Sequence, residues 1–267
     1  MSRGVFAPDS AMWRINRERF VLIGGPAAAI LQAAHPSVAF GVAEHSSFRD
    51  DIFRRLNRTL EAVYTVAFGT RAEVERLEAR VRAIHERVAG SHPAPYSALD
   101  PDALLWVLAT LIVTSTEMHR RYAKPLAPDE LERFFADMRT FGRCFGLDPA
   151  YGPQTWPAFA EYYAAMIAGP LLGSHPLCAE VANAIVSPAR PFSAWLLAPA
   201  VAPLACEYVP EPVRSRLRLP TRRWHAPAVR GFERTARAVL PLVPGVLRHA
   251  PAYTAARRDM SVGRSPM

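Results

Sequence analysis

Between Arg71 and Ala89 the apolar residues Val74, Leu77, Val81, Ile84 and Val88 recur at alternating steps of three and four. That spacing stacks them on one stripe of an α-helix, with Gly90 as the stop. Further helices are expected from Pro26 behind Gly24 and Gly25, from near Asp51, from Pro101 behind a capping Asp100, from Pro128, and after Thr155, which can also cap. Strand signals are nearly missing: there is no Asn-Gly or Asp-Gly hairpin, no sustained two-residue alternation and no internal repeat. The predicted class is all-α, as a single globular helical domain over residues 1–267. Its basic, proline-rich C-terminal part starts at about 188, is proline-punctuated as far as Pro220, and holds an amphipathic stretch from Ala226 to Leu240.

Half of the 267 residues are hydrophobic, enough to build a core deep enough for a cofactor. Cys144, Cys178 and Cys206 form no Cys-x-x-Cys pair, which argues for a reducing, cytoplasmic setting and against a thiolate zinc site. The net charge of +8 is uneven: residues 211–267 hold 12 Arg against three acidic residues, so the rest of the chain is almost neutral. Such an end suits an anionic surface, a membrane or a nucleic acid, and equally a solvated arginine-rich tail. Nucleic acid is the weaker choice, because only Trp224, Phe232 and Tyr253 stand among those arginines. A loose peripheral membrane contact is the expectation. The apolar runs Phe20–Ala34 and Pro191–Cys206 are too short for a spanning helix. The first, preceded by Arg14, Arg17 and Arg19, imitates a secretory signal, but Gly24-Gly25-Pro26 interrupts it.

The histidines are the natural candidates for chemistry. His85-Glu86 lacks the second histidine of a zinc-protease helix, and the chain has no Gly-x-Ser-x-Gly elbow, P-loop or dinucleotide fingerprint. His85 falls about 60° from the centre of the apolar stripe, on the shoulder where a helix meets a pocket or solvent, with Arg82 one turn earlier. Spacing alone fits a boundary histidine as well as a ligand. Glu44-His45 and Glu117-x-His119 could serve a non-haem iron site, and Phe141 to Gly146 faintly imitates a cysteine-ligand loop around Cys144. Trp106, Thr110, Leu111 and Val113 read as core or pocket wall.

Four ordered blocks carry a wider likeness. They are Gln32-Ala33-Ala34-His35-Pro36 running on to Glu44-His45-Ser46; Arg55-Leu56-x-Arg58-Thr59; Val81-Arg82-x-Ile84-His85-x-x-Val88-x-Gly90; and Tyr96 through Asp100-Pro101 to Trp106 and Thr110. Together they resemble the DUF2236 family, the catalytic domain shared by rubber oxygenase and the oxygenase of mycophenolic acid biosynthesis. The resemblance implies an all-helical fold with a haem b (iron) pocket between helices, and use of dioxygen to cleave a carbon–carbon double bond in an apolar isoprenoid substrate. It implies His85 as the proximal haem ligand, with Arg82 in the same motif, and Arg55, Arg58 and Thr59 on the distal, catalytic side. The sequence departs at Arg58, where rubber oxygenase has a lysine that can close the iron. A guanidinium stays protonated and has no lone pair, so Arg58 should not ligate. On a straight helix Arg58 lies nearly opposite the stripe Ile52, Leu56, Leu60 and Val63, so a plain surface arginine fits it equally well. Oxidation without bond cleavage stays open within the enzyme reading. The competing class is a non-catalytic helical module that binds a membrane surface through its basic tail.

Overall fold

The computed structural model describes residues 4–45, 52–187 and 202–262, with the backbone alone at 52–56 and 262. The expected apolar run from Pro191 falls outside the described residues as far as residue 201. Among the described residues the regular structure is helical, apart from one antiparallel pair of two-residue strands. The all-α expectation therefore holds.

The order is α1 (Ala11–Asn16), a 3₁₀ turn over Arg19–Gly24, α2 (Gly25–Ala34), α3 (Pro36–His45), α4 (Ile52–Phe68) and α5 (Arg71–His85). The hairpin of β1 (Ala89–Gly90) and β2 (Tyr96–Ser97) follows, then α6 (Pro101–Tyr122), α7 (Pro128–Arg143), α8 (Trp156–Ala168) and α9 (Pro176–Val186). The C-terminal part adds α10 (Glu211–Arg216), α11 (His225–Val239), a short turn α12 (Gly245–Arg248) and α13 (Pro251–Val262). One contiguous apolar core joins these helices.

Local chemistry explains most of the boundaries. Thr70 and Glu73 form a reciprocal capping box that starts α5, Asp100 accepts from the Asp102 N–H ahead of α6, and Thr155 accepts from the Ala158 N–H ahead of α8. Pro36 holds His35 in an extended conformation, which ends α2 and turns the chain by 101° into α3. The small residues Ala27, Ala28, Ala33 and Ala34 let α2 pack closely on α9 and on α6, the buried central helix. Trp106 of α6 is fully buried and donates its Nε1–H to the Leu31 carbonyl at 2.7 Å, which fixes α6 against α2. No single helix among the described residues is long and apolar enough to cross a membrane.

The sequence placed the end of α5 four residues too late. The helix stops at His85, and Ala89 and Gly90 belong to β1 instead. A Cβ on Gly90 would sit 2.6 Å from the Tyr96 ring, so this glycine is needed for the close approach of the hairpin to Tyr96, not as a helix stop.

Candidate functional site

The hairpin of α4 and α5 turns through Gly69, where a Cβ would lie 2.4 Å from the Thr65 carbonyl oxygen. A tight antiparallel reversal at 69–70 brings the first half of α4 level with the last half of α5. Arg58 and Thr59 are thereby carried to the same end of the hairpin as His85. All three line one cavity of about 550 Å³, closed on its other sides by α3, α6 and residues 141–147. That size suits a cofactor or small ligand, for which sites run from roughly 300 to 1,000 Å³.

The cavity wall is mostly aliphatic and aromatic, with Val38, Val63, Val81, Leu104, Leu108 and Phe141 among its residues. Its polar groups are few: Gln32, Ser37, His45, Arg58, Thr59, His85 and Ser97. Among the described residues no carboxylate or thiol lines it, and its two imidazoles are the side chains there suited to hold a transition metal. Gln32 donates its amide to Thr110 Oγ1 at 3.1 Å, and Thr110 in turn donates to the Val107 carbonyl at 2.7 Å. This chain fixes the rotamer of Gln32 at the cavity wall.

At the α3 side of the cavity stands a three-residue network. Tyr96 gives its phenolic proton to Glu44 and accepts from Nε2–H of His45 at 3.0 Å. Burial, with the bond to Glu44, pushes the Tyr96 hydroxyl up to about 12, so it stays a donor at neutral pH. The sequence singled out Glu44 and His45 only as metal ligands and gave Tyr96 no role. Nothing local reveals a contact between residues 51 positions apart. The one trace is Gly90, whose missing side chain makes room for the Tyr96 ring.

A second chamber of about 330 Å³ adjoins the first and shares Gln32, Thr59, Val63, Leu111 and Phe141 with it. It runs between α2, α4, α6 and α9 and is lined mainly by apolar side chains. Thr114, one of its few polar residues, turns its hydroxyl to the Thr110 carbonyl at 2.7 Å. A larger cleft of about 1570 Å³ lies between the N-terminal segment, the α4–α5 hairpin and α13, but among the described residues it holds no histidine and mixes Glu61, Glu73 and Asp259 with Arg76 and Arg80.

The other expected residues fall elsewhere. Arg82 is not brought to the cavity: its side chain is 78% exposed and pairs with Glu86 one turn on, at 3.2 Å. Arg55 lies in the backbone-only part of α4, so its side chain is outside the described residues. His119 is buried, with Nε2 3.3 Å from the Ile15 carbonyl, and Glu117 is paired with Arg120 and Arg121, so neither is poised for a metal. Cys144 is absent from the cavity wall, and burial first, then Glu78, pushes its thiol up to about 12. It stays an inert core residue. Trp106 is core, Leu111 is wall to both chambers, and Val113 packs at the core's edge.

Two uncharacterized proteins, one of Mycobacterium bovis and one of Mycobacterium tuberculosis, are each 27% identical to the chain over 146 residues. The match spans 52% of this chain and 57% of each relative. No solved structure matches it. Residues 12–240, most of the chain and both chambers, match the family described as "ER-bound oxygenase mpaB/B'/Rubber oxygenase, catalytic domain". The chain belongs to this family of oxygenase catalytic domains.

Proposed function

We propose that the protein is a haem-b-dependent oxygenase acting on an apolar, unsaturated molecule of isoprenoid character. The observation that carries this reading is the single apolar cavity that gathers His85, Arg58 and Thr59. Its residues fit the group. A haem would need an imidazole to hold its iron, an apolar envelope for the macrocycle, and hydrogen-bonding groups for its carboxylates. The cavity offers His85, a mainly hydrocarbon wall, and Arg58, Ser37 and Ser97. Bound there, the haem supplies the activation of dioxygen.

The chain's own residues supply positioning and charge. Arg58 presents up to five N–H donors and no lone pair, so it would hold an anionic group in the cavity and would not ligate a metal. Thr59 adds a hydroxyl at the boundary between the two chambers. The adjoining apolar chamber receives the substrate, where few polar groups compete for water. His45, held through Nε2 by Tyr96, which is itself held by Glu44, presents a second imidazole at the cavity wall. Arg82 takes no part in this arrangement.

The test is the visible spectrum of the purified protein, with haem content measured as the pyridine haemochrome. A Soret band is expected in the wild type and in Arg82→Ala, and its loss in His85→Ala. Full haem content in His85→Ala, or a wild type that stays colourless after incubation with hemin, would overturn the reading.

A further inference from the structure

The charge asymmetry of the C-terminal part takes a definite shape on α11, which has three distinct faces. At 100° per residue, His225, Val229, Glu233 and Ala236 form the inward face, and with Ala226 they are its buried or half-buried positions. Arg230, Arg234 and Arg237 lie together on one flank. The remaining outward arc, with Trp224 at its start and Ala228, Phe232, Thr235 and Val239 along it, carries no charge at all.

That uncharged arc continues past the end of the helix. From Ala238 to Leu247 there is no charged residue, and Leu242, Val246 and Leu247 are 81%, 61% and 61% exposed. Single exposed leucines are ordinary, but a run of exposed apolar side chains continuous with a helix face marks a contact surface. The only acidic residue of α11, Glu233, is neutralised by Arg121 at 2.6 Å. Arg237 caps α6 by donating to the carbonyls of Arg120 and Arg121, whereas Arg222, Arg223, Arg230 and Arg234 are exposed and have no ion pair among the described residues. The surface is thus apolar at its centre and uncompensated positive at its margin, with an exposed tryptophan at one end.

We propose that α11 and the turn over 240–247 dock on the surface of an anionic lipid bilayer, apolar arc inward and arginines among the headgroups. A nucleic acid would meet the arginines but leave the apolar arc against phosphates. A bilayer interface accepts both, and aromatic side chains such as Trp224 favour its headgroup level. This inference is independent of what the cavity holds.

The experiment is co-sedimentation of the full chain with vesicles of phosphatidylcholine alone and of phosphatidylcholine with phosphatidylglycerol, at low and high salt. Binding to the anionic vesicles is expected to exceed binding to the neutral ones and to fall with salt. Arg230→Gln with Arg234→Gln should weaken it by about fivefold for each arginine at low salt. Leu242→Asp with Val246→Asp should weaken it at every salt concentration, while the far-ultraviolet circular dichroism of both variants stays that of the wild type. Equal sedimentation with both vesicles, or variants that bind like the wild type, would overturn the proposal. So would a lipid-free dimer that Leu242→Asp dissociates in a protein that ignores vesicles, since a second copy would then be the occupant.

Discussion

Glu18 is the carboxylate on which the two ends of the described chain are closed together, and Glu18→Gln tests how much that closure contributes. Its side chain is only 3% exposed, yet it holds two cationic partners. Arg248 reaches it through Nε at 2.6 Å and Nη2 at 3.2 Å, and Arg17 through Nε at 3.2 Å. The backbone follows the same seam: Ala250 N–H donates to the Arg17 carbonyl at 2.7 Å, and Arg19 Nε donates to the His249 carbonyl at 2.8 Å. Beyond the seam α13 packs on α4, with the Tyr253 ring 5.8 Å from Trp13 and 5.7 Å from Phe68. Removing one partner of a fully buried ion pair costs about 3–5 kcal/mol. Here Arg248 and Arg17 are partly exposed and can turn to water, and the amide can still accept one hydrogen bond, so about 2 kcal/mol is the expected loss. In a chain of this size that is a fall in Tm of roughly 4–8 °C. Urea unfolding should give the same figure, and trypsin should cut at Arg257 and Arg258 sooner as α13 loosens. A loss below about 0.5 kcal/mol would place Glu18 on a level with an exposed pair such as Arg82 with Glu86, and would refute the reasoning.

If the cavity holds haem as proposed, Arg58→Lys should move the ferric protein toward a six-coordinate spectrum and weaken azide binding, because an amine can supply the lone pair a guanidinium lacks. Identical spectra and azide affinities for wild type, Arg58→Lys and Arg58→Ala would take Arg58 away from the cofactor. Gly90→Ala should destabilise the fold by about 1–3 kcal/mol through overlap with the Tyr96 ring, and combining it with Tyr96→Ala should recover part of the loss; a neutral Gly90→Ala would show that the hairpin gives way instead. Stability should fall as pH drops from about 7 toward 5. Burial lowers the pKa of His35, His119 and His249, so below the ordinary value near 6.5 the unfolded chain binds more protons than the folded one. Urea midpoints measured across that range should show the slope, and His119→Gln should reduce it; a midpoint independent of pH would count against the buried neutral histidines.

Most of the helices were legible in the sequence because their ends carry their own chemistry. Thr155, Asp100 and the prolines at 26, 101 and 128 mark helix starts whatever the rest of the chain does, and α11 announced itself within a residue by its apolar period. The hairpin after α5 could not be seen, since two-residue strands are too short to show alternation and Gly90 reads equally as a helix stop. Arg82 shows the limit of motif reasoning: it lies one turn from His85 in sequence, but Glu86 lies one turn further on and draws it along the solvent face.

Arg58 shows the limit of the helical wheel. Opposite the apolar stripe of α4 it reads as a surface residue, because a wheel divides space into core and solvent. A helix beside a cavity has a third environment. Arg58, Thr59, Ala62 and Val63 span one continuous arc of about 140° at 100° per residue, and all four line the cavity. Val63 belongs to that arc and to the apolar stripe, while Val66 and Ala67 turn into the core. The arginine stands at the edge of the arc, exposed to solvent and yet on the cavity wall. Spacing alone cannot tell such a position from that of an ordinary surface arginine; the neighbouring helix, placed by the turn at Gly69, is what brings it to a cavity wall.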